Sequence, residues 1–315
     1  MTGVAGGTDR RTRGPAARAA VTVRVPAKVN VRLAVGAARP DGFHDLANVF
    51  LAVSLFDEVT ATPADALTVT CEGPDAAEVP LDRTNLAARA AEVLAARAGR
   101  EPAVHLHIAK RIPVAGGMAG GSADGAAALL ACDALWGLDT PRAELLDLCA
   151  GLGSDVPFSL VGAAALGTGR GELLTPVDAG TFHWVFAVAD GGLSTPAVFR
   201  EFDRLTAGTD VPEPACGPAL LAALAAGDPD ALAATLANDL QPAALALRPR
   251  LADTLAAGTA AGALAGIVSG SGPTTAFLVR DAAAAAEVAA ALAASGTCRA
   301  THVASGPVPG ATVLP

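Results

Sequence analysis

The chain has no tyrosine, few aromatic residues of any kind and an excess of acidic over basic side chains. Aromatic residues make up 3% of the 315 positions, and 22 Lys and Arg stand against 31 Asp and Glu, for a net charge of −9. A nucleic-acid-binding surface needs clustered positive charge, so this composition argues against one. The length is enough for two modest domains or one large domain with an ample core.

Paired cysteines are also missing. The five cysteines are Cys71, Cys132, Cys149, Cys216 and Cys298. They are odd in number, lie far apart and form no C-x-x-C pair, which argues against a zinc or thiol-redox motif and against a disulfide framework. A protein of the reducing cytoplasm is the natural interpretation.

No segment has the character of a membrane anchor or a secretory leader. Residues 1–20 contain four arginines and no apolar run, so we predict a disordered N-terminal extension there. The uncharged run 254–279 is long enough to span a bilayer. Its glycines and one proline divide it into a helix end, strands and a loop, so we expect no membrane association.

The residue pattern predicts an α+β fold in two domains, 21–170 and 171–315, with glycines near residue 170 marking the boundary. β-branched and alternating stretches predict strands at 21–25, 29–35, 67–71, 104–108, 163–166, 182–189, 264–269 and 275–279. Apolar residues at helical spacing predict helices at 86–98, 126–136, 144–150, 218–237, 243–257 and 281–294.

Residues 113–126, PVAGGMAGGSADGA, are the most informative stretch, and we call them the glycine segment. Glycines allow positive φ angles and let a ligand approach the backbone N–H groups closely. Ser122 and Asp124 are capping types ahead of an alanine-rich helix, whose positive end would face the same segment. The Gly-Lys-Ser/Thr of a Walker loop is absent. In a chain with 34 glycines, a phosphate site and a structural turn are about equally favoured.

Two further segments could carry chemistry in the first 50 residues. Lys28 lies between two predicted strands, in PAKVN, and is either an edge charge with a buried stem or a placed cation. Phe43 and His44 end the segment RPDGFH. They form either a turn with a core aromatic, or an aromatic face beside an imidazole that binds a base or a sugar.

Two small-residue loops complete the set. Asp155 lies in GLGSDVPF and is either a helix cap or a functional carboxylate. If it meets Lys28, the ion pair would suit acid–base chemistry on a hydroxyl. Residues 269–273, SGSGP, form either a simple turn or a backbone approach to substrate. His105 and His107 share a strand face, and without a third ligand nearby we interpret them as structural.

The motifs and their order resemble those of the GHMP kinase superfamily, from about Val21 to Phe277. They are PAKVN, RPDGFH, PVAGGMAGGSADGAAAL, GSDVPF, STPAVF, NDLQPAAL and SGSGPT. The resemblance implies a two-domain fold with the active site in the inter-domain cleft. It implies transfer of the γ-phosphoryl group of ATP, with Mg²⁺, to an acceptor hydroxyl. PAKVN and RPDGFH point to members whose small-molecule substrate is a cytidine-diphosphate-linked methylerythritol, phosphorylated on its 2-hydroxyl for non-mevalonate isoprenoid synthesis.

The resemblance also assigns roles. Asp155 matches the catalytic base and Lys28 the catalytic lysine that orients it, while Asn30 would hold the polyol. The ATP-binding positions implied are Asn85, Lys110, Pro113, Gly116, Gly117, Ala119, Gly120, Gly121, Ser122 and Ala123. The Ser122 hydroxyl is placed near Mg²⁺.

For the acceptor, Phe43 and Phe199 match two aromatics that sandwich cytosine, His44 matches an imidazole that hydrogen-bonds it, and Thr195 is assigned to the same substrate. Three positions depart from the family pattern. Position 43 is usually tyrosine; Ala119 replaces a glycine and should have an ordinary negative φ; and Ala123 lacks a serine hydroxyl.

Three other functions remain to be weighed. A homoserine or mevalonate-type kinase would share the glycine segment, but RPDGFH and TPAVF disfavour it. A nucleotide-binding sensor would need neither Lys28 nor Asp155. A structural alanine-rich protein would leave seven ordered motifs to coincidence. We expect no nucleic-acid or membrane partner, and the sequence leaves the oligomeric state open.

Overall fold

Twelve strands and ten α-helices make up the part of the chain that the computed structural model describes, residues 19–315. The extension predicted for residues 1–20 lies outside this range except for its last two residues. The strands are β1 (Val21–Ala38), β2 (His44–Pro63), β3 (Thr68–Glu72), β4 (Val104–Ala109), β5 (Ala164–Thr168), β6 (Leu173–Pro176), β7 (Phe182–Val188), β8 (Ala237–Asn238), β9 (Ala265–Val268), β10 (Thr275–Val279), β11 (Ala300–Gly306) and β12 (Thr312–Val313).

All ten α-helices of the described residues follow the hairpin formed by β1 and β2. They are α1 (Leu86–Arg97), α2 (Gly120–Trp136), α3 (Arg142–Leu152), α4 (Val156–Val161), α5 (Thr195–Thr206), α6 (Pro218–Ala226), α7 (Pro229–Ala233), α8 (Gln241–Leu247), α9 (Arg250–Ala260) and α10 (Ala282–Ser295). The α+β class predicted from the sequence is confirmed.

The strands form two sheets. The larger has the order β12-β1-β2-β4-β3, with β5 and β6 added beside β2 and β8 beside β1. The smaller has the order β11-β7-β10-β9. The boundary predicted near residue 170 falls inside the antiparallel β5–β6 hairpin. Strands from both sides of that boundary therefore build the larger sheet, including the C-terminal β12.

Helix α2 occupies the centre of the main core. It packs on α1 and on the faces of β1 and β2, and eight of its eleven buried residues are alanine, glycine or leucine. Small side chains let helices and strands approach closely at native packing density. The many alanines of α2 therefore allow this helix, which begins at the glycine segment, to pack closely against the larger sheet.

Several predicted elements have different bounds. The predicted strands 21–25 and 29–35 are one strand, β1, because it stays paired with β2 through register shifts at Pro26/Ala27 and Asn30/Arg32. Lys28 thus lies inside a strand. We did not predict β2, although it has 20 residues; its uncharged centre, LANVFLAVSLF, is a mostly apolar run that lacks the alternation typical of a half-buried strand. The predicted helices 218–237 and 243–257 are each split, into α6 with α7 and into α8 with α9.

The segment 254–279 contains the end of α9 and the strands β9 and β10. Within residues 19–315, no helix combines the length and the hydropathy needed to cross a bilayer. Helix α5 was also missed by the sequence analysis. Pro196 occupies its first turn, where proline is tolerated because the N–H it removes has no partner within the helix.

Candidate active site

One cleft of about 870 Å³ collects most of the residues that the motifs singled out. Its walls come from β1, the β1–β2 connection, the glycine segment, the start of α4, helix α5 and the β9–β10 connection. The predicted site residues on its surface are Lys28, Asn30, Phe43, His44, Gly116, Gly117, Ala119, Gly120, Gly121, Ser122, Asp155, Thr195 and Phe199.

Lys28 is buried at the floor of the cleft, at 4% exposure. Its Nζ donates to Asn30 Oδ1 at 2.6 Å and to the Gly117 carbonyl at 3.0 Å. The Asp155 carboxylate lies 3.7 Å away. Burial lowers the pKa of Lys28, and the charge and hydrogen bond of Asp155 only partly oppose that shift. The lysine is thus a placed cation that joins the acidic residue to the glycine segment.

Asn30 follows Lys28 by two residues, so both side chains lie on the same face of β1. Its Nδ2 donates to Asn48 Oδ1 at 2.6 Å, across the β1–β2 pair. Asn48 is 4% exposed and also lines the cleft. The two amides hold Lys28 Nζ in place, and Asn48 was not singled out by the sequence.

Asp155 immediately precedes α4 and contacts the cleft with its side chain one-third exposed, at 33%. Among the described residues its carboxylate caps no helix, so the capping alternative does not apply. A carboxylate that is accessible to a ligand and adjacent to a buried ammonium can accept a proton from a hydroxyl or orient it.

The glycine segment is fixed from both sheets. Lys28 N donates to the Met118 carbonyl at 3.3 Å, and Ser269 Oγ donates to the Gly117 carbonyl at 3.1 Å. Gly117 has φ +75°, and a Cβ there would lie 2.1 Å from the Ser269 carbonyl oxygen. Only glycine fits this position, because the SGSGP loop and the glycine segment touch backbone to backbone.

Helix α2 begins within the glycine segment, at Gly120, six residues earlier than predicted. Ser122 and Asp124 therefore lie inside the helix and do not cap it. The capping position is Ala119, whose φ of +61° is left-handed, so the expectation of a negative φ there is wrong. The first helical turn has no acidic residue, and its N–H groups lack helical partners, which favours binding of an anion.

Four residues assigned to ATP lie behind this wall. Pro113 and Ala123 are buried, and Asn85 caps α1 by accepting from Ala87 N at 2.8 Å. Lys110 Nζ donates to Asp57 at 2.6 Å and to Asp124 at 2.7 Å. Burial alone lowers the pKa of Lys110, but the two carboxylates outweigh it and raise that pKa. None of the four side chains is part of the cleft surface in the described structure.

Phe43 lies at the opposite end of the cleft and is half-exposed, at 50%. The Arg170 guanidinium covers its ring at 5.2 Å from the centroid. Arg170 belongs to the β5–β6 turn, which is tied to β2 by a hydrogen bond from Leu46 N to the Gly169 carbonyl. A cation over a ring stabilises that ring's position, and the open part of Phe43 faces the cleft.

His44 is buried beside Phe199, with the two rings 5.1 Å apart. Its Nδ1 lies 2.9 Å from the Gly36 carbonyl. A carbonyl only accepts, so Nδ1 carries a hydrogen and donates it to Gly36. Asp203 Oδ1 lies 3.5 Å from Nε2, which places a carboxylate oxygen beside the second ring nitrogen.

The SGSGP loop and helix α5 meet at the cleft. Thr195 Oγ1 and Ser271 Oγ are 2.8 Å apart. The functional alternative for this loop, an approach of backbone to the site, is thus the one that its position supports. The sequence analysis missed Asn48, Arg170 and Asp203, whereas Ser271 lies in the SGSGP loop that it had singled out. Asp203 follows Phe199 by one helical turn, a signal that an assignment of α5 would have supplied.

His105 and His107 do not reach the cleft. Both hydrogen-bond to Thr70 on the neighbouring strand β3. Within the described residues, no group of three or more His, Cys, Asp or Glu side chains is arranged to hold a metal ion. Ser122, in the first turn of α2, contributes the hydroxyl that the glycine segment itself presents to the cleft.

Comparison with known proteins gives a consistent result. The chain matches the GHMP kinases N terminal domain over residues 85–163 and the GHMP kinases C terminal domain over residues 220–298. It is 76% identical over 295 residues to the 4-diphosphocytidyl-2-C-methyl-D-erythritol kinase of Streptomyces avermitilis, covering 93% of this chain and 99% of the relative. The enzyme of that name from Thermobifida fusca is 63% identical over 303 residues, with 93% and 98% covered.

Solved structures agree. A crystal structure of 4-(cytidine 5'-diphospho)-2C-methyl-D-erythritol kinase matches with a TM-score of 0.73 and 33% identity, over 90% of this chain and 98% of that chain. A homoserine kinase from Cytophaga hutchinsonii has a TM-score of 0.74 at 19% identity, over 96% of this chain and 100% of that chain. The second likeness shows the shared fold alone.

Proposed function

This chain belongs to the GHMP kinases and, among them, to the 4-diphosphocytidyl-2-C-methyl-D-erythritol kinases, and from that premise we propose how its cleft carries out the reaction. The enzyme is an ATP-dependent small-molecule kinase that phosphorylates the 2-hydroxyl of 4-diphosphocytidyl-2-C-methyl-D-erythritol, in the non-mevalonate route to isoprenoid precursors. The observation that carries our assignment of roles is the Lys28–Asp155 contact of 3.7 Å on the cleft floor.

At the catalytic end, Asp155 accepts the proton of the 2-hydroxyl. The hydroxyl oxygen forms a bond to the γ-phosphorus, the bond from that phosphorus to the β–γ bridging oxygen breaks, and ADP leaves. Phosphoryl transfer passes through a loose transition state, so orienting the hydroxyl is as much the task of Asp155 as removing its proton. Lys28 holds the carboxylate and offsets negative charge that develops beside it.

At the nucleotide end, the glycine segment and the first turn of α2 hold the ATP phosphates. The support is the positive, uncapped helix start with no acidic residue in its first turn. Mg²⁺ fits a donor set of phosphate oxygens, water and the Ser122 hydroxyl, because this ion retains several waters and takes few protein ligands. When bound, it neutralises charge on the phosphates.

At the acceptor end, cytosine stacks between Phe43 and Phe199. Stacking contributes about 1–3 kcal/mol and is tolerant of base identity. Selection of cytosine over uracil therefore needs hydrogen bonds. In the neutral tautomer with its hydrogen on Nδ1, His44 presents Nε2 as an acceptor, which suits the 4-amino group of cytosine and is mismatched with the 4-carbonyl of uracil.

The test is ADP release by the purified protein with Mg-ATP and one acceptor at a time. We expect turnover with the cytidylyl substrate, little with its uridylyl analogue and none with homoserine or mevalonate. Equal turnover with the cytidylyl and uridylyl compounds would remove the base-reading role of His44. Turnover only with homoserine or mevalonate would contradict the assignment of the whole acceptor end.

We also propose a cytoplasmic location. All five cysteines are within the described residues and carry free thiols, and free thiols persist in a reducing compartment.

A further inference from the structure

Three ionisable side chains form a buried cluster behind the glycine segment, outside the cleft. They are Asp57 of β2, Lys110 after β4 and Asp124 of α2, with side-chain exposures of 0%, 2% and 3%. Lys110 Nζ lies 2.6 Å from Asp57 Oδ2 and 2.7 Å from Asp124 Oδ2. We call this set the buried cluster.

The members of the buried cluster come from three different segments that meet near the glycine segment. Asp57 Oδ1 accepts from Arg111 N at 2.6 Å and from Ile112 N at 2.8 Å, the residues that lead into the segment. Asp124 belongs to the second turn of α2. The cluster therefore connects β2, the entry to the glycine segment and the start of the helix.

Gly120 brings the cluster next to the segment itself. A Cβ at Gly120 would lie 2.9 Å from Lys110 Nζ. The ammonium thus sits directly beneath the first residue of α2, the residue whose N–H we assign to ATP phosphate. A shift of Lys110 would move this backbone.

Burying the cluster carries a large desolvation penalty. The free energy lost when charged groups leave water is often larger than the free energy gained from their attraction. Replacing such groups with apolar residues of the same volume often leaves the protein as stable or more stable. Asp124 Oδ1 is buried and makes no hydrogen bond to any described group, which adds to the penalty. Apolar side chains would not supply the two hydrogen bonds from Arg111 N and Ile112 N to Asp57, or the two contacts of Lys110 Nζ with Asp57 and Asp124.

We propose that the buried cluster is a positioning device for the nucleotide: it fixes the entry to the glycine segment and the start of α2, and Lys110 acts through Asp57 and Asp124, without contacting ATP. This inference rests on the proposed function only in that the glycine segment binds ATP phosphates. It replaces the ATP-contacting role that the family resemblance implied for Lys110.

The test is a double-mutant cycle of Asp57→Asn, Lys110→Met and the double variant, read out as the Kd for ATP by calorimetry without acceptor. Groups that act as one unit are non-additive. We expect each single variant to raise the Kd for ATP by about tenfold, within the range that coupled contacts produce. We expect the Kd of the double variant to lie within about twofold of that of the weaker-binding single variant.

The matched control is Asp133→Asn. Asp133 is a buried carboxylate on the same helix, bonded to a backbone N–H, that of Thr140, at the end far from the cleft. We expect it to lower the unfolding midpoint without changing the Kd for ATP. A double variant weaker by the product of the two single losses would show that Lys110 contacts ATP independently. Single variants that match the control would show that the cluster positions nothing. Either result overturns the proposal.

A second measurement covers the case in which Lys110→Met does not fold. In Asp57→Asn, steady-state ADP release should show a KM for ATP raised by about tenfold and a KM for the acceptor changed by less than about twofold. An equal rise in both constants would contradict a role at the nucleotide. Wild-type protein without turnover on any acceptor would refute the proposed function instead, and the ATP-binding cycle would still be decisive for the cluster.

Discussion

Lysine occurs at only two positions of this chain, Lys28 and Lys110, and every other basic residue of the 22 is arginine. Both lysines are buried, at 4% and 2% exposure, and each Nζ lies within 3.0 Å of two oxygen acceptors. An ammonium is compact and donates in several directions, whereas a guanidinium is a wide planar fork. We conclude that lysine is used where the slot is too small for arginine.

Asp155 allows the sharpest test at the residue scale. Asp155→Asn keeps the shape of the side chain but cannot accept the proton, so we expect kcat to fall by about 10²–10⁴-fold, the usual contribution of a general base. The Kd for ATP, measured by calorimetry, should stay nearly unchanged, because the phosphates are held by the glycine segment. Equal losses in ATP binding and in rate would assign Asp155 a structural role.

At the scale of the element, the start of α2 combines a strained residue with an open anion site. Ala119 precedes the helix with φ +61°, and Ala115 has φ +51°. A side chain in the left-handed region costs about 1–2 kcal/mol. Such strain persists only where surrounding contacts impose it, and here Lys28 N and Ser269 Oγ, one from each sheet region, donate to the carbonyls of Met118 and Gly117.

Ala119→Gly should therefore stabilise the protein. Glycine adopts this φ without strain, although it also raises the entropy of the unfolded chain, so we expect a net gain of about 0.5–1 kcal/mol in the free energy of unfolding. Chemical denaturation of both proteins gives this difference. Ala123→Gly is the control within the same helix and should lower the free energy of unfolding, because position 123 is helical. Destabilisation by Ala119→Gly would contradict a left-handed Ala119.

The β5–β6 turn is a second element whose shape serves the cleft. Gly169 has φ +67° and Gly171 φ +109°, and the turn between them carries Arg170 over Phe43. The turn thus supports an aromatic residue that lies far away in the sequence.

At the scale of the whole molecule, polar contacts join the two sheets around the cleft. Arg299, before β11, binds the Asp75 carboxylate through two hydrogen bonds of 2.8 and 2.6 Å. Asp75 also accepts from Val114 N at 3.3 Å, and Thr274 N donates to the Gly116 carbonyl at 3.3 Å. The glycine segment is therefore held at the junction of both sheets, where its position depends on the entire fold.

The buried cluster makes the stability of the whole fold depend on pH. Burial raises the pKa of Asp124 to about 8 from 3.8, against the opposing effect of Lys110. The folded state thus binds an additional proton between about pH 4 and pH 8, so this group's contribution is most favourable below pH 4 and is lost as the pH rises to 8.

Asp124→Asn removes this titration. Relative to the variant, the wild-type protein should lose unfolding free energy between pH 4 and 8, by up to about 1.4 kcal/mol per pH unit. Urea titrations of both proteins at pH 5, 6, 7 and 8 give the difference at each pH. A difference that does not change with pH would mean that Asp124 is ionised throughout.

The sequence by itself determined the features that depend on neighbouring residues. Helices α1, α3 and α10 were predicted to within two residues at both ends, because periodicity and capping residues are local signals. The glycine segment, Lys28, Asp155 and the aromatic end were all found as motifs, and the family resemblance placed them in one site.

Only the tertiary structure decided how these pieces meet. It brought Lys28 and Asp155 into contact although they lie far apart in the sequence. It placed Lys110 behind the cleft wall. It also brought Asn48, Arg170 and Asp203 to the cleft surface. It also set the left-handed φ of Ala119. The physical reason is that non-local packing and hydrogen bonding, which no window of sequence contains, outweigh local preference when a residue is held from two sheets at once.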